Sequence, residues 1–496
     1  KGKKHGSIQF GDESMKYLGI AKWNTTYFGG SSSAMIDDLA LFFKFSGTSG
    51  EVASAACYYR DSSNRCTVGV VWINKNNDYS KDKHSTEYLL AVLLHEVIHV
   101  LGFNMDFLRN YFPKNPLLVK NDKYGIKRTF VTSTRVVDLV RKYFNCQSAI
   151  GLEIDNYGDY GHWEPRVVEG DIMVTYSYTE EEVISEFTLA LLEDSGWYKA
   201  NYYTGGLMRF GKGKGCAFLE NKCVENGKVT FTNEFFNKGN EYEESCSAGR
   251  QSRTKSILFQ HGGIPSEYNY FSNGKGGRDD VDYCPVFISG SETDTDSYIG
   301  SCKIGSNLYD PQYYINKKTG GREKISREAY PSTLGEKFGE NSFCSLSTLA
   351  KDSDLGTYDF TSQVRAMCYP MFCSSSSLTI QVNDDYIVCP RAGGKVIIDG
   401  YSGYLMCPDY NLICSGTVIC NNLYDCVDKK SQIKLDTYTY DYKIQTTQIV
   451  SEIKGQSVSE GFELSSDGKC SQYCKQCSIT SKCKICGNNY KVSGEN

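Results

Sequence analysis

The chain has 496 residues, of which 40% are hydrophobic, 23% charged and 13% aromatic. That describes a folded protein of about three domains and excludes a disordered tail. With 54 basic and 59 acidic side chains the net charge is −5, and no Lys/Arg-rich block is present, so no nucleic-acid partner is expected. The 21 cysteines are scattered and mostly far apart, which suits disulfides in the secretory pathway and an extracellular or cell-surface location.

No apolar run reaches the ~18–20 residues of a bilayer span. The chain opens on Lys1 with no signal peptide, and so reads as a processed piece of something longer. Any membrane anchor is expected outside the given sequence, and the oligomeric state has no signature here. Asn24-Thr25-Thr26 is a glycosylation sequon consistent with secretion.

Along the chain, Thr67–Ile73 is β-branched and aromatic and predicts a buried strand. Cys57 and Cys66 bracket a polar turn just before it, and a local disulfide is expected between them. A polar segment, Asn74–Lys83, leads past His84, read as a surface residue, to Ser85 or Thr86 as N-cap of a helix over Glu87–Leu101. Gly102 stands where a left-handed residue would end that helix.

Residues 104–161 read as a largely separate insertion. It holds a second helix, Thr134–Phe144, with Val136, Val137, Val140 and Phe144 on one face. A third helix is predicted over Glu180–Ser195, ending at Gly196, with Glu180-Glu181-Glu182 as its solvated first turn. Tyr176 and Tyr178 are expected to pack as walls rather than to stabilise an oxyanion.

From Cys216 cysteines and Gly/Ser clusters multiply, so 216–430 is expected to be irregular and disulfide-stapled. Tyr438, Tyr440 and Tyr442 alternate as in one strand. The last unit, Cys470 to Cys486, contains two C-x2-C pairs without a histidine and reads as a small disulfide module rather than a zinc knuckle.

The chemistry sits on the first helix, in His95-Glu96-Val97-Ile98-His99. Residues four apart share one face of a helix, so both imidazoles can reach one metal ion. Glu96 is rotated away from ligation yet stays near a water on that ion, where it can act as general base. Two of the chain's six histidines fall here, among Leu89, Leu90, Val92, Leu93 and Leu94. Burying three such polar groups without partners would be costly.

A zinc hydrolase needs a third protein ligand and an open position. The metzincin pattern H-E-x-x-H-x-x-G-x-x-H holds through Gly102, then puts Met105, a poor zinc ligand, where the third histidine belongs. His5, His84, His162 and His261 remain, with Glu186 or Glu193 as carboxylate rivals.

At this point the chain resembles the leishmanolysin family of surface zinc metalloproteases. That family keeps the glycine turn and places its third histidine after a long insertion. Here His162 follows His99 by 63 positions in Gly161-His162-Trp163-Glu164, and Met173 follows in Asp171-Ile172-Met173. The likeness continues in Ala190–Tyr198 and Gly213–Cys223, and more faintly in Asp282–Pro285 and Tyr404–Pro408. It runs from about Cys57 to Cys414. The stretch before the helix is short, and the insertion and tail differ in length.

The resemblance implies metal ligands His95, His99 and His162, Glu96 as catalytic base, and Met173 as the floor of the site. The fold expected is α+β, a zincin-like catalytic domain split by an insertion and followed by a disulfide-rich irregular C-terminal domain. Expected boundaries are 1–103, an N-terminal subdomain with the helix; 104–161, the insertion; and 162–215, a central subdomain with the third histidine. Then follow 216–430, Cys-rich; 431–469, a polar linker or strand; and 470–496, a small Cys-rich module. The expected function is zinc-dependent endopeptidase action on protein or peptide substrates. The alternative is a surface adhesion protein that keeps a metzincin scaffold without using its chemistry.

Overall fold

The computed structural model describes residues 39–46, 52–76, 85–155, 161–179, 181–200, 208–237 and most of 243–414, with short strands elsewhere. The predictions for Asn24, His84, Tyr438, Tyr440 and Tyr442, and the side chains of Cys470–Cys486, lie outside the described residues.

A three-stranded sheet backs the first helix. Its strands are β1 (Ala40–Ser46), β2 (Ala53–Arg60) and β3 (Cys66–Asn74), in spatial order β1-β3-β2. β3 lies parallel to β1 and antiparallel to β2, and the central position explains its apolar, β-branched sequence. It covers the predicted Thr67–Ile73 with a residue added at each end. The expected Cys57–Cys66 disulfide staples β2 to β3.

Helix α1 (Ser85–Leu101) packs across β2 and β3. Gly69 permits the close approach: a Cβ there would lie 2.3 Å from Val100 Cγ1. Gly102 ends the helix with φ +131°, and its amide donates to the His99 carbonyl while the Phe103 amide donates to that of Ile98. A side chain at 102 would also meet the Trp197 ring at 2.9 Å.

The segment after Gly102 forms β4 (Leu117–Asn121), β5 (Lys127–Val131), α2 (Thr134–Phe144) and β6 (Leu152–Ile154). The α2 bounds match the prediction, and Asn145 closes it in the left-handed conformation. Leu139 and Tyr143 join Val136, Val140 and Phe144 in the core, while Val137 is half-buried.

The expectation of a largely separate insertion needs correction. Leu108, Val131, Val136, Phe144 and Leu152 share one continuous core with Ile98, Trp163 and Met173. A buried ion network reinforces that union. Arg128 pairs with Glu153 at 2.8 Å, Arg166 pairs with the same carboxylate at 2.7 Å, and both arginines reach Asp282.

Short helix α3 (Pro165–Val168) and helix α4 (Glu186–Asp194) follow. α4 starts six residues later than predicted. Ser185 caps it by accepting from the amides of Phe187 and Thr188. The residues before it are claimed by other bonds: Ile172 N–H donates to the Val183 carbonyl, and Val183 N–H to that of Gly170. Glu181, expected in a solvated first turn, is buried and accepts from the Gly249 amide at 3.0 Å. Burial pushes its carboxyl above the usual range, against hydrogen bonds that favour the charged form.

Beyond Cys216 the chain runs in short strands and turns, with helices of four or five residues among the described ones. It also builds a six-stranded antiparallel sheet that composition did not single out. Its strands are β7 (Ser342–Ser347), β8 (Arg365–Cys373), β9 (Leu378–Val382), β10 (Asp385–Cys389), β11 (Gly394–Val396) and β12 (Leu405–Cys407), ordered β10-β9-β8-β7-β12-β11.

Seven disulfides occur among the described residues. Cys146–Cys216 ties the end of α2 to the start of the Cys-rich region. Cys223–Cys284, Cys246–Cys344, Cys302–Cys368, Cys373–Cys414 and Cys389–Cys407 staple that region internally. The whole is an α+β protein with a disulfide-rich C-terminal part. No helix among the described residues is long and apolar enough to cross a membrane.

Candidate metal centre

His95 and His99 stand one turn apart on α1, as their spacing requires. His162 comes from the loop between β6 and α3, which backbone bonds pin on both sides. Asp155 N–H donates to the His162 carbonyl, Trp163 N–H to that of Met173, and Glu164 N–H to that of Glu153. The three rings converge. Nε2 of His95 lies 3.0 Å from that of His99 and 3.1 Å from that of His162, and the third side of the triangle is 3.2 Å.

Two of the rings are held from behind. Nδ1 of His95 lies 2.6 Å from the Ile172 carbonyl oxygen, and Nδ1 of His99 lies 2.6 Å from that of Phe103. A carbonyl can only accept, so each Nδ1 carries the proton and each Nε2 presents a lone pair. Three nitrogens aimed at one point repel unless an electrophile lies between them. With zinc–nitrogen bonds of ~2.0–2.1 Å, tetrahedral ligand atoms sit ~3.3 Å apart, close to the spacing found here. The donor set therefore fits a zinc ion with one vertex left over.

Glu96 is buried beside this cluster on the same helix. Met173 is fully buried in the turn 171–174 and shares the core with Trp163 and Ile98. Its amide donates to Asp171 Oδ1 at 2.6 Å. Burial raises the Asp171 carboxyl to about 6, although bonds from Ser185, Met173 and Thr188 favour the charged form. Burial likewise raises Glu169 to about 8, against the Tyr178 and Thr179 donors to its Oε1.

The rival ligands lie elsewhere. Glu193 pairs with Arg135 at 3.3 Å, Glu186 lies near Tyr143, and neither belongs to the histidine group. Met105 packs in the core. His261 stacks edge-on with Tyr283, 5.0 Å between ring centroids. Tyr178 is buried, its hydroxyl donating to Asp280. Tyr176 departs from expectation: it is 54% exposed, with the Arg278 guanidinium 5.2 Å from its ring centroid.

Sequence reasoning missed the groups that orient the rings. The carbonyls of Phe103 and Ile172 have no side-chain signature. Thr188, whose hydroxyl bonds Asp171, sits in a helix that reads as ordinary apolar packing. The only cue was the Gly102 turn, which brings the Phe103 carbonyl back toward His99.

Fold and site together are of the zincin type: an H-E-x-x-H helix backed by a sheet, a third histidine from a distant loop, and a buried methionine turn. The sequence pattern of the leishmanolysin peptidase family matches residues 30–422, and the chain belongs to that family. It is 25% identical over 352 residues to the ciliated left-right organizer metallopeptidase of Danio rerio, covering 67% of this chain and 47% of that protein. It is 25% identical over 390 residues to leishmanolysin of Leishmania major, covering 74% and 58%. A leishmanolysin-like peptidase of Drosophila melanogaster is 32% identical over 178 residues, 28% of this chain and 26% of the relative. The chain thus spans about half the length of the first two relatives.

Proposed function

We propose that this chain is a zinc-dependent endopeptidase that hydrolyses peptide bonds of protein substrates at or outside the cell surface. The observation that carries the proposal is the triangle of imidazole nitrogens, 3.0–3.2 Å on a side, with two Nδ1 atoms committed to carbonyls. His95, His99 and His162 would hold the ion. When bound, zinc supplies a Lewis acid that polarises a carbonyl and lowers the pKa of water to about 7.

In this proposal the remaining work falls to the chain. Glu96, buried beside the cluster, takes the proton of the attacking water and passes it to the leaving amine. Met173 and the packing around Trp163 form an apolar floor that keeps the rings in place. The seven disulfides support an oxidising, extracellular location.

The test is metal analysis of the purified chain with an assay on denatured casein, with and without chelator. One zinc per chain and chelator-sensitive cleavage are expected. A zinc-loaded chain that leaves casein intact would favour the scaffold alternative.

A further inference from the structure

Three fully buried side chains run behind the histidines and join the two halves of the site. The indole Nε1 of Trp163 donates to Thr188 Oγ1 at 2.9 Å. Thr188 Oγ1 lies 3.0 Å from both Oδ1 and Oδ2 of Asp171. A hydroxyl has one proton, and with the indole N–H as donor on one side, Thr188 gives its own to the carboxylate on the other. All three residues are 0% exposed, so water cannot replace a lost partner.

Both ends of this chain bear on proposed metal ligands. Asp171 accepts the Met173 amide at 2.6 Å and so sets the curvature of the turn 171–174. That turn presents the Ile172 carbonyl to His95 Nδ1 at 2.6 Å. It also presents the Met173 carbonyl to the amide of Trp163, the neighbour of His162, at 2.9 Å. Thr188 is the joint: it lies on α4, and its hydroxyl fixes the indole on one side and the turn on the other.

We propose that Thr188 and Asp171 are positioning residues for the histidine cluster, and that the Trp163–Thr188–Asp171 relay holds His95 and His162 in register with each other. The proposal rests on the reading of the three histidines as a metal centre. Loss of groups behind a metal-binding histidine typically weakens the metal by roughly 10–100-fold. Thr188→Val keeps the shape of the side chain but leaves an indole N–H and a buried carboxylate without the hydroxyl between them. Thr188→Ser keeps the relay and removes only a methyl group.

The experiment uses the full chain as wild type, Thr188→Val, Thr188→Ser and Trp163→Phe. Zinc affinity is measured by chelator competition, and the visible spectrum is recorded after cobalt substitution. Thr188→Val is expected to bind zinc roughly 10–100-fold more weakly, with a shifted cobalt spectrum, and Thr188→Ser to recover both. Trp163→Phe, which lacks the indole donor, is expected to share the spectral shift and decides the matter if the valine variant does not fold. Wild-type affinity and spectrum in Thr188→Val, or equal losses in valine and serine variants, would overturn the relay. A wild-type chain that binds neither zinc nor cobalt would instead overturn the metal centre itself.

Discussion

The carbonyl oxygen of Ile172 lies 2.6 Å from Nδ1 of His95, across 77 positions of sequence. This bond commits the His95 tautomer and joins helix α1 to the methionine turn. The same turn receives the amide of Trp163 beside His162. One short loop therefore braces two of the three histidines.

Glu96→Ala tests the general base. Peptidase activity is expected to fall by ~10²–10⁴-fold, the usual worth of a positioned acid–base group. The zinc content is expected to stay at the wild-type value, since the three imidazoles are untouched. Turnover near wild type would remove Glu96 from the mechanism.

His162→Ala should fail in a different way. The loss of one vertex of the nitrogen triangle is expected to weaken zinc by more than the ~10–100-fold that loss of an outer partner costs. Equilibrium dialysis against zinc buffers measures this directly. Unchanged stoichiometry and affinity would assign the third ligand elsewhere.

Glu153→Ala addresses the unity of the core. Glu153 accepts from Arg128 and Arg166 at 2.8 and 2.7 Å, and all three residues are buried. Removing it takes away the carboxylate that the two buried guanidinium groups share and leaves them Asp282, with Asp122 for Arg128 as well, at an expected cost of up to ~3–5 kcal/mol in denaturant unfolding. A loss below ~1 kcal/mol, the worth of a surface pair, would mean the network is solvated.

The pH dependence of stability has a sign that Glu169 sets. Its carboxyl rises from 4.5 to about 8 on folding because it is buried. Between those values the native chain holds a proton that the unfolded chain lacks, so the contribution is full below 4.5 and lost as pH climbs through about 8. Glu169→Gln keeps the group neutral throughout. The melting temperature of the variant is expected to fall less than that of wild type between pH 5 and 9. Parallel curves would contradict the burial effect.

Several elements were legible because their signals are local. The α1 site follows from helical periodicity and the fixed i, i+4 relation of two histidines. α2 follows from its apolar face, β3 from its β-branched run, and the Cys57–Cys66 staple from the turn between its cysteines. The resemblance to leishmanolysin added His162 and Met173, which periodicity could not reach. The start of α4 was misplaced because Glu181 and Val183 have bonding partners at Gly249, Gly170 and Ile172, all outside any local window.

The amino-acid order by itself thus determined which atoms could bind a metal and which carboxylate stood beside them, since helix geometry is set by a few consecutive residues. Only the tertiary structure decided that His162 closes the triangle and that Phe103 and Ile172 orient the rings. It also decided that residues 104–155 and 161–179 share one core. Those outcomes depend on backbone carbonyls and buried contacts between distant segments, which arise only once apolar burial has brought the segments together.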